Sequence, residues 1–180
     1  MPIENTLIIL KPDGLKQGLE EHVLKVIEAN GLVVEKMKRG RLSDEFCNAF
    51  YVSDEKQLAN TGSKTLKLVG DDAVMKRLYN TLDAIEIGRT ILSRYARYMA
   101  SEETLIMRVS GEDAIGKMRA IIGHTDPQLA QKGTIRGDFG TDSLVKATLE
   151  GRPLRNVIHA SDAEKAEMEL RLAEAEFGLK

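Results

Sequence analysis

Hydrophobic and polar positions alternate along this chain in two rhythms. Residues 6–11 (TLIILK) form a short apolar run of strand length that fits a central strand. Lys11-Pro12-Asp13-Gly14 follows, with proline and glycine placed as in a type I turn. Leu19, Val23, Val26, Ile27 and Asn30 then recur at helical spacing, and Gly31 is a natural stop. Residues 32–42 alternate in part (Val34, Lys36, Lys38) and predict a second strand. Residues 43–52 predict a short helix with Phe46, Phe50 and Cys47 inward. From residue 53 to 88 the pattern loosens. Gly62 and Gly70-Asp71-Asp72 interrupt it, and Val74, Leu78, Leu82 and Ile85 suggest a helix after them. A helix over 89–100 precedes a third strand at 104–109. Ala114, Ile115, Met118, Ile121 and Ile122 then mark the apolar stripe of another helix. After a loop (123–139) and a looser segment (140–154), Val157-Ile158 form a β-branched lead into His159. Ser161 with Glu164 reads as the capping box of a last helix.

The order strand, helix, strand, helices, strand, helix, strand, helix fits an α+β, ferredoxin-like βαββαβ core. Its four-stranded antiparallel sheet is expected to carry helices on one face, with extra helices added. No repeat, low-complexity tract or proline-rich linker divides the chain, so residues 1–180 are expected to form one domain. Composition changes this picture little. Hydrophobic residues make up 42% and charged residues 30%, and the net charge of -2 gives no reason to expect a nucleic-acid partner. A single cysteine, Cys47, rules out an internal disulfide framework and fits a reducing compartment. No apolar run is long enough to cross a membrane, and Met1 is followed almost at once by a strand, so a cytoplasmic location is expected.

Candidate chemistry gathers near the C-terminus. A helix beginning just past His159 would present free backbone N–H groups and a dipole favourable to a phosphoryl group. Glu169, about two turns in, could fold back to orient the imidazole and leave its other nitrogen free to attack. These residues alone fit a strand-end core histidine as well. Residues 133–139 (GTIRGDF) set Arg136 between glycines that let the backbone approach a ligand. In His124-Thr125-Asp126-Pro127, Thr125 or Asp126 can cap a helix with Pro127 in its first turn. Arg119 stands six positions before Thr125, close enough to converge with it. Arginines and a hydroxyl around a histidine suit phosphate, whose oxygens guanidinium donors bind bidentately. Gly62-Ser63-Lys64-Thr65 looks like the tail of a P-loop but lacks the preceding glycine and the Gly-Lys pair, and is set aside.

Taken in order, KPDG at 11–14, the loop at 123–127, GTIRGDF at 133–139 and NVIHASD at 156–162 resemble the motifs of the nucleoside diphosphate kinases. The resemblance covers residues 4–53 and 101–170. It implies a Mg²⁺-dependent kinase of broad base tolerance, with His159 phosphorylated in a ping-pong cycle between nucleoside tri- and diphosphates. Lys11 and Asn156 would then contact the sugar hydroxyl and phosphates, and Arg119, Thr125 and Arg136 would hold phosphate. Tyr51 would lie beside the transferring group, Glu169 would orient the imidazole, and Asp162 would help place Mg²⁺ through water. A homo-oligomer (hexamer, tetramer or dimer) is implied as well. A catalytically impaired relative acting as a nucleotide-binding or regulatory protein is the alternative.

The chain departs from the family at four places. Residues 54–88 are an insertion of about 30 residues, too long for an ordinary connection and expected to be partly helical, and residues 140–154 add about 10 residues beside the site, a length that suits a functional or mobile loop. Where the family stacks an aromatic residue on the base, the expected candidates are Ile91 and Leu92, with Pro153 or Leu154 opposite. Ala160 replaces a glycine, acceptable only at negative φ. Lys132 replaces a proline in a loop that contributes to the family's subunit contacts.

Overall fold

A computed structural model describes residues 2–178. In chain order the elements are β1 (Ile3–Leu10), α1 (Pro12–Lys16), α2 (Glu20–Ala29), β2 (Val33–Arg41), α3 (Asp44–Tyr51), α4 (Glu55–Val69), α5 (Asp72–Tyr79) and α6 (Ala84–Ser101). There follow β3 (Glu103–Glu112), α7 (Ala114–Ile122), a 3-10 turn (Pro127–Leu129), α8 (Ile135–Phe139), α9 (Leu144–Leu149), β4 (Ile158–Ala160) and α10 (Ala166–Phe177). The strands form one sheet in the order β2-β3-β1-β4, and every neighbouring pair is antiparallel. The expected α+β, ferredoxin-like βαββαβ core is therefore present.

Helices cover both faces of that sheet, not one. Successive side chains of a strand point to opposite faces, and residues 6–10 of β1 are buried without a break. Ile8 and Leu10 join Met107 and Val109 against Val23 and Ile27 of α2 and Met118 and Ile122 of α7. Leu7, Ile9 and Ile106 pack the other way, against Phe46 and Phe50 of α3, Leu92 and Met99 of α6 and Ala173 of α10. Leaving that second set in water would cost about 1.5–3 kcal/mol per side chain. The additional helices are thus part of the core.

Three sequence expectations need correction. KPDG is not a turn but the start of α1, with Pro12 at the first helical position, where its missing N–H costs nothing. Gly62 does not interrupt a helix. It lies inside α4 at the crossing with α6, where a Cβ would stand 1.8 Å from the carbonyl oxygen of Ala84; Gly88 meets Leu58 in the same way at 1.9 Å. Two helices can approach this closely only where neither has a side chain. Val74 and Ile85 do not share a helix either. Asn80, at φ 60°, closes α5, and Asp83 caps α6 by accepting from Glu86 N at 2.9 Å. Among the described residues, no helix is long and apolar enough to cross a membrane.

Candidate active site

The site is built where β1 ends beside β4. Ile9 pairs with His159 across that antiparallel ladder, so the histidine lies on the edge strand β4, anchored to the inner strand β1. β4 is only three residues long because the chain turns sharply just before it. Val157 has φ 58°, and the Asn156 carbonyl accepts from Ile158 N at 2.7 Å, closing a three-residue turn. A β-branched residue in the left-handed region costs on the order of 1–3 kcal/mol and persists only where its surroundings over-determine it. Here Lys11 N donates to Val157 O at 2.8 Å and Val157 N donates to Asp13 Oδ2 at 2.9 Å. Asp13 is itself fixed by the Tyr98 hydroxyl at 2.7 Å. The turn lets Asn156 and His159 line the same cavity.

His159 is half-buried, with Phe50 edge-on to its ring at 5.2 Å between centroids. Its Nε2 lies 2.8 Å from Glu169 Oε2, the same oxygen that accepts from Ser161 Oγ at 2.6 Å. Burial opposes ionisation of Glu169, but His159, Ser161 and Lys165 outweigh it and hold the carboxyl below the usual range. An ionised Glu169 accepts a hydrogen bond from Nε2–H, which fixes the tautomer and leaves the Nδ1 lone pair unused. Among the described residues, Nδ1 has no hydrogen-bond partner.

Two expectations about this segment fail. Ser161 does not cap a helix; it is buried and bonded to Leu7 N and Glu169. The helix α10 starts later, behind Lys165, so Glu169 stands in its first turn and reaches the imidazole without folding back. The residues of the intervening turn, 162–165, do not line the cavity, so the N-terminus of α10 is not the phosphoryl-facing element. Ala160 lies in β4 outside the positive-φ residues, so its methyl group is accommodated.

The cationic residues converge as expected. Lys11 is 5% exposed, donates to Asn156 Oδ1 at 2.7 Å and, among the described residues, forms no direct ion pair, though the Asp13 charge acts on it. Burial, with the Arg136 charge nearby, lowers its pKa to about 8. Arg136 is 6% exposed and donates to three backbone carbonyls, those of Asn156 (3.3 Å), Gly123 (3.0 Å) and Ile158 (2.8 Å). Burial and the Arg119 charge lower its pKa to about 10. A guanidinium has more N–H donors than these acceptors use, and no carboxylate among the described residues pairs with it. Asn156 is held at both ends, since its Nδ2 also donates to Thr125 O at 2.8 Å. Arg119 and the Thr125 side chain are exposed at the rim. Tyr51 is buried beside Tyr95, ring centroids 6.0 Å apart, and burial pushes its pKa well above the ordinary value, so its hydroxyl stays a donor.

These groups share a cavity of about 280 Å³. Lys11, Lys64, Arg94, Arg119, Arg136 and Arg152 line it, and no aspartate or glutamate does. Arg152 is already paired with Asp142, at 2.8 Å through Nη2. Among the described residues neither Lys11 nor Arg136 forms a direct ion pair, and the nearby Asp13 charge offsets their burial only in part, so an incoming anion would stabilise both.

Ile91 and Leu92 line the cavity, but Pro153 does not, and Leu154 is buried behind it, its N–H bonded to Tyr95 Oη at 3.0 Å. The wall contributed by that segment is instead Leu144, Ala147 and Thr148 of α9. Asp162 lies outside this cavity, in an adjoining cleft that shares Thr61 and Lys64 with it. Sequence reasoning missed Tyr79, Arg94, Tyr95, Thr61 and Lys64 of the cavity wall. It also missed the supporting Ser161 and Tyr98. KPDG did contain Asp13, but nothing in the sequence pairs it with Tyr98.

A family model described as nucleoside diphosphate kinase matches residues 4–93 and 72–176. The chain is 38% identical over 173 residues to a nucleoside diphosphate kinase of Pyrobaculum aerophilum, covering 95% of this chain and 94% of the relative. It is 32% identical over 165 residues to one from Streptococcus pneumoniae, covering 91% and 93%. A crystal structure of an NDP kinase from Pyrobaculum aerophilum superposes with a TM-score of 0.89 at 37% identity, over 95% of both chains. Motif order, topology and these matches agree: the chain belongs to the nucleoside diphosphate kinase family.

Proposed function

We propose that the protein transfers the γ-phosphoryl group of a nucleoside triphosphate to a nucleoside diphosphate through a phosphohistidine on His159. The observation that carries this reading is an imidazole with a free Nδ1, oriented by a buried carboxylate, in a cavity lined by buried cations and, among the described residues, by no aspartate or glutamate. Nδ1 attacks the γ-phosphorus, the bond to the β–γ bridging oxygen breaks, and the diphosphate leaves with the electron pair. In the second half-reaction a terminal β-phosphate oxygen of another diphosphate attacks the phosphohistidine, and the P–N bond breaks with its electrons returning to Nδ1. Splitting the transfer in this way lets two nucleotides use one site in turn.

The chain's own residues do the positioning on which phosphoryl transfer mainly depends. Arg136, Arg119 and Thr125 take phosphate oxygens, Lys11 and Asn156 take the sugar hydroxyl and phosphates, and Tyr51 donates beside the transferring group. Glu169 stabilises the imidazole N–H as positive charge develops on the ring. Among the described residues, no three of His, Cys, Asp and Glu come together as a metal site. Mg²⁺ would arrive with the polyphosphate and keep most of its waters. Asp162 would be its contact through water, and the ion would neutralise polyphosphate charge.

Residues 1–180 are read as one cytoplasmic domain, with 54–88 and 140–154 as additions to the family core. Homo-oligomer formation is supported by the edge strand β2, where Val33 and Met37 are about half exposed. Incubation with a γ-labelled triphosphate and Mg²⁺ tests the reading. Acid-labile label should appear on His159, and His159→Ala should lose both label and turnover while keeping the fold. A wild-type protein that binds nucleotide but never becomes labelled would instead be a binding or regulatory relative.

A further inference from the structure

The strained turn ahead of His159 is gripped by the opening motif and by Tyr98, a residue of α6 that does not line the cavity. Val157, at φ 58°, is fully buried, and residues 11–14 take both of its backbone polar groups. Asp13 Oδ2 accepts from Val157 N at 2.9 Å, and Lys11 N donates to Val157 O at 2.8 Å. Gly14 completes the fit by having no side chain, since a Cβ there would stand 2.5 Å from Val157 O.

One hydroxyl holds Asp13 at two points. Tyr98 Oη donates to Asp13 Oδ1 at 2.7 Å and accepts from Asp13 N at 3.1 Å. Burial and the Asp13 charge push the Tyr98 pKa above its ordinary value, so the hydroxyl keeps the proton it donates. On either side of the turn stand residues proposed for the reaction, Asn156 before it and His159 after it. Asn156 has ties of its own, to Lys11 Nζ, to Thr125 O and, through its carbonyl, to Arg136. A valine released from its partners leaves the left-handed region. The peptide planes between Asn156 and His159 would then rotate, and the imidazole would shift against a phosphate held by the other residues. A misplacement of about 1 Å costs on the order of a hundredfold in rate.

We propose, on the phosphotransfer reading above, that Tyr98 and Asp13 are positioning residues: the pair clamps Val157 in the left-handed region and thereby sets the His159 imidazole against the phosphoryl group it receives. The test is Tyr98→Phe, which removes only the hydroxyl, with two measurements on folded protein. These are the single-turnover rate of His159 phosphorylation by γ-labelled ATP with Mg²⁺ and the equilibrium binding of ADP. The rate should fall about tenfold, with ADP affinity changed less than about twofold. A lower thermal midpoint with an unchanged rate would make Tyr98 a support of the fold alone and overturn the proposal. So would a loss of ADP affinity as large as the loss of rate.

Val157→Gly locates the effect. Glycine adopts the left-handed region at no steric cost, so Tyr98→Phe should slow phosphorylation less than about threefold in that background. The void left by the valine side chain is common to both glycine variants and cancels in the cycle. Val157→Asn, which also tolerates this region, serves if the glycine variant does not fold. A tenfold loss in both backgrounds would place the action of Tyr98 elsewhere and overturn the proposal. Equal labelling rates of wild type and Tyr98→Phe reject this proposal alone, whereas a wild type that never labels rejects the phosphotransfer reading and this proposal with it.

Discussion

The floor of the cavity and its outer wall are built in opposite ways. On the floor, Lys11, Arg136, Asn156 and Glu169 are each at most 6% exposed, and each has polar atoms tied to a named partner. On the outer wall, Lys64 is exposed and Tyr79 and Arg94 are half-buried; α5 packs on α4 and α4 on α6, and only α6 lies against the sheet. Burying a charge without a direct ion pair is expensive, so the floor is where the fold gives up stability to keep the groups proposed to bind phosphate dry. The wall gives up little, because its polar groups keep contact with solvent.

The sharpest way to break the floor is Arg136→Leu. It removes the donors aimed into the cavity together with those on three backbone carbonyls. Loss of transition-state charge stabilisation of this kind costs on the order of 3–4 kcal/mol, so kcat/KM should fall by about two to three orders of magnitude with a full set of native helices. Steady-state kinetics with circular dichroism on the same sample decides it. A decrease below threefold would mean that Arg136 serves the fold and not the phosphates.

The wall is best broken at its closest packing. Gly62→Val puts a branched side chain where even a Cβ would meet the Ala84 carbonyl at 1.8 Å. The helices α4 and α6 must then separate, at a cost of about 3 kcal/mol or more by analogy with overpacked cores. Thermal denaturation should show the loss. Because Lys11, Asn156 and His159 stand on other elements, the variant should still become phosphorylated at a temperature where it is folded. Loss of labelling in folded protein would show that floor and wall are one unit.

This contrast also explains what could be read from the sequence. The floor residues lie in short segments, KPDG, GTIRGDF and the stretch around His159, whose local chemistry is visible one segment at a time. The βαββαβ succession along the chain followed from counting elements. The wall was not legible because it depends on a crossing. Gly62 reads locally as a helix breaker, and only its meeting with Gly88 reveals a close approach. Tyr79 and Arg94 stand 15 positions apart in chain numbering, on different helices, with no shared periodicity. Two-sided coverage of the sheet was hidden for a related reason: the run at residues 6–10 shows that both faces are apolar but not which helices cover them. Ser161 was misread because a serine before an acidic helix satisfies the capping pattern whether its hydroxyl meets a backbone N–H or, as here, Glu169.

A milder change tests how far the floor's orientation matters. Glu169→Gln keeps the shape but removes the charge that stabilises His159 in its attacking tautomer. Hydrogen bonds to charged groups are worth about 1.5–3 kcal/mol, so kcat should fall about ten- to a hundredfold with KM nearly unchanged. Stability supplies a second readout. The native Glu169 pKa is depressed, so its contribution is present above the ordinary carboxylate range and is lost as pH falls through the native value. The variant should lack that component of the acid-side decline. An equal rise in KM would instead indicate that Glu169 shapes the nucleotide site.

The smallest effect is also the most specific to the floor's design, because it separates binding from folding in one residue. Lys11 has a native pKa of about 8 against an ordinary 10.5, chiefly because it is buried. In the nucleotide-free enzyme its charge is therefore lost as pH rises through about 8, and the affinity it supplies to phosphate is lost with it. kcat/KM should fall about tenfold between pH 8 and 9.5, and nucleotide binding at pH 9 should take up a proton, measurable by calorimetry in buffers of different ionisation enthalpy. The sign for stability is the reverse. Between about pH 8 and 10.5 the unfolded chain holds a proton on Lys11 that the native state does not, so stability from this group rises with pH across that window. The full difference is on the order of 3 kcal/mol. Lys11→Met should abolish the proton uptake and flatten this rise. If kcat/KM of the wild type stays level to pH 9.5, the cation that binds phosphate in the free enzyme is not Lys11. The burden would then fall on Arg136, whose pKa of about 10 keeps it charged throughout.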